Sequence, residues 1–81
     1  MSAVDSLLGI AKGEMGYLEK ATNSQLDSKT ANAGSNNYTK YARDVYPSLQ
    51  GQAWCDMFVD WCFVQTFGEI AARQLLGGFS A

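Results

Sequence analysis

The sequence predicts a mainly α domain of three to four helices, and three observations carry that prediction. Apolar residues recur at steps of three and four in successive stretches, no alternating stretch reaches useful strand length, and glycine or proline punctuates the chain where each periodic stretch stops. With 81 residues there is room for one domain, in the size range where a single core is only marginally self-sufficient. A composition of 47% hydrophobic and 17% charged residues with one proline is that of a folding chain and excludes a disordered one.

The first helix is expected over residues 3–19, where Val4, Leu7, Leu8, Ala11, Met15 and Leu18 form one face and Asp5 suits the positive end of the helix dipole. Gly9, Gly13 and Gly16 weaken it and suggest close packing against a neighbour, or a bend. Residues 21–36 hold almost no large apolar side chain except Leu26 and read as a long surface loop near a binding site, with room for a short helical turn near Ser24 to Asp27. Tyr38, Tyr41, Ala42 and Val45 then predict a second helix over 37–46, closed by Tyr46-Pro47. A third, buried helix is expected over 53–67, ending at Gly68, and a fourth over 69–76, ending at Gly77-Gly78.

Bulk features narrow the function. Six basic against eight acidic residues leave a net charge of −2, which lacks the basic footprint of a nucleic-acid binder. No apolar run approaches the ~18 residues of a membrane span. The first residues carry no secretory signal pattern, so a role at a cell wall implies another route, such as release with a phage, and the compartment stays open between cytoplasm and phage particle. Histidine is absent, which removes the commonest general base and the commonest metal ligand. Asp56 and Asp60 stand at i, i+4 but make a poor metal site without a third ligand and read as solvated helix-face carboxylates, so no metal and no cofactor is expected.

The informative segment is Gln52 to Cys62, QAWCDMFVDWC. It places Cys55 in the first turn of the third helix, where unpaired N–H groups and the helix dipole favour a thiolate and can donate to an oxyanion. Cys62 falls among Phe58, Trp61 and Phe63 and reads as a core thiol. Across two helical turns the pair would stand about 10.5 Å apart at ~1.5 Å per residue, too far for a disulfide. Gln52 is the candidate oxyanion donor; Trp54, Asn36 and Asn37 are candidates for lining a substrate groove. Each has a plainer reading: Cys55 as a small core residue, Gln52 and Trp54 as helix-start residues, the asparagines as loop formers.

The run Trp54-Cys55-Asp56-Met57-Phe58-Val59-Asp60-Trp61-Cys62, after the Gln50-Gly51-Gln52 turn and the Tyr38 to Asp44 segment, resembles the amino-terminal part of the CHAP family. These are cysteine, histidine-dependent amidohydrolases and peptidases close to the NlpC/P60 group, found in phage lysins and bacterial cell-wall hydrolases. The resemblance spans about Leu7 to Phe79. It implies a nucleophile at Cys55, peptidoglycan as substrate, and the helical half of a papain-like α+β fold whose histidine lies on a sheet beyond these residues. The chain is therefore expected to be a truncated or fragmentary hydrolase, inactive alone. The alternative is a non-catalytic phage or mobile-element module that binds a protein partner. Both imply apolar helix faces that a homo-oligomer or a protein partner would cover.

Overall fold

The computed structural model describes residues 2–78, and among them it is mainly helical, with no strand beyond isolated bridges. Helix α1 (Ala3–Gly13) opens on a capping box: the Asp5 N–H donates to the Ser2 hydroxyl at 3.1 Å, and the Ser2 N–H donates to the Asp5 carboxylate at 3.4 Å. It ends well short of the expected residue 19. From Glu14 the N–H groups bond three residues back, and Gly16 turns to φ 89°, a conformation that a helix does not admit. Leu7, Ile10 and Ala11 meet the core, whereas Met15 and Leu18, at 73% and 46% exposure, carry no helix face further. Nor do the α1 glycines mark close packing, since a Cβ on Gly9 or Gly13 would meet nothing within 4 Å.

Between α1 and the second helix the chain is irregular but bonded throughout. Lys20 makes antiparallel bridges with Ala33 and Tyr38, Ala21 N–H donates to Asn32 O at 2.8 Å, and the Tyr17 hydroxyl donates to Leu26 O at 2.7 Å while accepting from Lys40 N–H at 3.0 Å. The helical turn expected near Ser24 to Asp27 does not form; Gln25 sits at φ 55° and Leu26 plugs inward. Gly34 lies so close to Ala21 that a Cβ would come within 2.6 Å of the alanine Cβ and 2.8 Å of its Cα.

Helix α2 (Lys40–Val45) starts later than the expected residue 37, because Tyr38 is held in the bridge to Lys20 and Thr39 serves as N-cap, accepting from Ala42 N–H at 3.2 Å. The Gln50 amide, beyond a 3-10 turn at Pro47–Leu49, clamps both backbone groups of Thr39 at 3.0 and 2.9 Å. Helices α3 (Cys55–Phe67) and α4 (Glu69–Leu76) meet at Gly68, φ 83°, with α3 packed against α1, α2 and α4. Gly77 closes α4 in the left-handed region, as its sequence position predicts.

The core is centred on Tyr41, 1% exposed, whose ring meets Tyr17 at 4.9 Å, Phe58 at 5.0 Å, Trp61 at 5.1 Å and Trp54 at 5.5 Å. Each such pair adds about 0.5–1.5 kcal/mol beyond area burial. Asp60 departs from its expected solvated place: it is buried, and its carboxylate accepts from the Tyr46 hydroxyl, while Trp61 Nε1 donates to Asp44 at 2.9 Å. Burial first, and then this bond to Asp60, raise the Tyr46 phenol pKa. Among the described residues no helix is long and apolar enough to cross a membrane.

Candidate functional site

The site is built around the start of α3. The 3-10 turn at Pro47–Leu49 and Gly51 at φ 89° bring the chain round, and Gln52 N–H donates to Leu49 O at 3.0 Å. Trp54 occupies the N-cap with no side-chain hydrogen bond to the first turn, so the leading N–H groups of α3 are not satisfied by a capping side chain. Cys55 is the first helical residue, exposed and free. Its neighbour Asp56 places a carboxylate in the same turn. Cys62 is buried and free, and burial, assisted by the charge of Glu14, pushes its thiol up to about 11. Two cysteines of one helix therefore have opposite environments, one open at a dipole end and one closed in the core.

Beside this start lies a groove of about 340 Å³ between α1 and α3, walled by Ala11, Met15, Tyr17, Tyr41, Trp54 and Phe58, with Glu14 at its polar side. Trp54 stacks on Tyr41 at 26° between planes, which fixes one wall against the core. Glu14 Oε1 accepts from the Tyr41 hydroxyl at 2.9 Å and pairs with Lys40 Nζ at 2.7 Å. The Lys40 ammonium stands over the rings of Trp61 at 5.0 Å, Tyr17 at 5.3 Å and Tyr41 at 5.8 Å. Burial, and then the bond to Glu14, raise the Tyr41 phenol pKa and keep it a donor. A second, wholly apolar groove of about 190 Å³ runs along the other side of the α1–α3 contact, between Leu7, Leu8, Phe58, Val59, Cys62 and Phe63.

Of the residues singled out in the sequence, the structure places Trp54 on the groove wall, leaves Cys55 exposed next to it in the chain but not among the lining residues, and leaves Gln52 exposed three residues before Cys55. The Asn36 amide instead donates to Ala21 O at 2.9 Å, and Asn37, at φ 63°, donates its backbone N–H to Glu19 Oε2 at 2.8 Å. Both hold the irregular stretch in shape. Asn36 still borders the turn into α3, since a Cβ on Gly51 would come within 3.9 Å of its carbonyl oxygen. Sequence reading missed Glu14, Lys40 and Gln50. Glu14 stands on the polar side of a helix and Lys40 at a helix start, and no spacing rule links them; Gln50 and Gln52 are equivalent on paper until the clamp on Thr39 separates them.

Among the described residues no group of three or more histidine, cysteine, aspartate or glutamate side chains is placed to hold a metal ion. Compared with models of known protein families, with curated proteins and with solved structures, the chain matches none of them.

Proposed function

We propose that this chain carries the nucleophile of a CHAP-type cysteine hydrolase acting on peptidoglycan, with Cys55 as the attacking group. One observation carries the reading: Cys55 is exposed at the uncapped start of α3, while Cys62 of the same helix is buried. In the reaction, the Cys55 thiolate adds to an amide carbonyl. The N–H groups of the first turn of α3, with Gln52, hold the oxyanion. The intermediate collapses to a thioester as the amine departs with a proton, and water then releases the acid and restores the thiol. The proton passes through an imidazole, which these 81 residues do not contain and which a histidine from outside them supplies. Without it, hydrolysis by this chain is absent or very slow.

The test has two parts. Iodoacetamide at neutral pH, with the modified residue mapped by mass spectrometry, is expected to label Cys55 at least tenfold faster than Cys62. The chain joined to the histidine-bearing sheet of a CHAP hydrolase is expected to clear a cell-wall suspension, and Cys55→Ala to abolish clearing. Clearing that persists in Cys55→Ala removes the reading.

The second reading, a non-catalytic module, draws on a different observation: Leu8 and Val59, at 50% and 48% exposure, flank the second apolar groove on the α1–α3 surface. On either reading that surface takes a protein cover, and a second copy of the chain is the one available in isolation.

A further inference from the structure

We infer that the groove beside Cys55 is a specificity subsite that admits one uncharged apolar side chain of the peptide under attack. The inference rests on Cys55 being the nucleophile and adds what the thiol accepts. Trp54 precedes Cys55 and Phe58 follows it at i+3, and both form the wall, so the groove begins about 5–6 Å from the thiol-bearing position. Its volume of about 340 Å³ lies at the small end of the ~300–1,000 Å³ range of ligand pockets, which suits a side chain with its adjoining backbone and not a disaccharide. The wall is preformed, because the Tyr41 ring touches both Trp54 and Phe58 and its hydroxyl is tied to Glu14.

Charge selects the occupant. Among the described residues that line the groove Glu14 is the one ionic group, and it is already paired with Lys40 at 2.7 Å, so a charged side chain entering the groove would give up its hydration without gaining an unpaired counter-ion. The complement of a self-neutralised, aromatic lining is an uncharged apolar group.

Haloacetyl amino-acid amides test this on the chain as it stands, since the thiolate displaces bromide to leave a thioether that records which residue reacted. Bromoacetyl-norleucinamide is expected to label Cys55 with saturation and roughly tenfold faster than bromoacetyl-glycinamide, while bromoacetyl-lysinamide stays within about twofold of the glycine probe. Met15 lines the groove yet is 73% exposed, so Met15→Glu leaves the core untouched and should erase the norleucine advantage. Equal norleucine and glycine rates, with iodoacetamide still preferring Cys55 over Cys62, would overturn the subsite and leave the nucleophile standing. A lysine probe as fast as the norleucine probe, or an advantage that survives Met15→Glu, overturns it as well. Loss of the iodoacetamide preference removes the nucleophile and the subsite together.

Discussion

At the scale of single residues, the least comfortable group in the fold is Lys20. Its side chain is 0% exposed, and among the described residues its ammonium has no hydrogen-bond acceptor and stands over the Tyr17 ring at 4.8 Å. Burial, and then the charge of Lys40, lower its pKa below the ordinary lysine value. The unfolded chain therefore binds more protons at this site than the folded chain does. Stability rises with pH between the lowered folded value and about 10.4, and the cost of the buried charge is fully present below that window. Lys20→Met keeps the length and removes the charge. It is expected to raise the melting temperature at pH 7 by about 4–8 °C, the shift that ~1 kcal/mol makes in a domain this size, with the gain shrinking as pH rises through that window and gone above about 10.4. Melts of both proteins from pH 6 to 11 read this directly; parallel curves across the range would mean that Lys20 does not titrate with folding.

At the scale of elements, glycines with different surroundings separate what the sequence displayed from what it concealed. Gly9 and Gly13 have open space where a Cβ would go, so alanine there should stabilise α1 by about 1 kcal/mol each. Gly34→Ala drives a Cβ onto the Ala21 backbone and is expected to destabilise by about 1–3 kcal/mol, with the bonds around Lys20 and Asn32 the first to open. Urea titration ranks the three variants, and limited proteolysis should cut Gly34→Ala first between residues 21 and 36. Helices α3 and α4 were legible because Gly68 and Gly77 end them on local chemistry. The end of α1 was not, since Met15 and Leu18 keep the apolar period that Gly16 breaks. The 21–36 stretch was legible as a non-helix but not as an ordered one, because its order comes from partners far along the chain, such as Tyr17 for Leu26 and Glu19 for Asn37. That Cys55 opens a helix was readable from its place after the Gln50-Gly51-Gln52 turn. Glu14 on the groove and its partner Lys40 come together only because α1 and α2 both pack on α3.

At the scale of the whole molecule, the accessible surface of 4832 Å² is close to the ~4,800 Å² of an ordinary monomer of this mass, so the amount of surface is unremarkable and its kind is what matters. Val4, Leu8, Val59, Ile70 and Leu75 are all exposed, and α4 contributes only Ala72 to the buried set. Sedimentation velocity over a range of micromolar concentrations is expected to show self-association. Val59→Glu, which puts a charge on the flank of the second groove, should shift the protein toward monomer without loss of helical circular dichroism. Wild type that stays monomeric at every concentration would count against a surface in need of cover. The aromatic cluster has an optical side as well. Tyr41 touches both Trp54 and Trp61, so light absorbed by the phenol passes to the two indoles, one on the groove wall and the other in the core. The protein thus carries its own fluorescent gauge, in which emission from one indole follows what enters the groove and emission from the other follows whether the core remains closed.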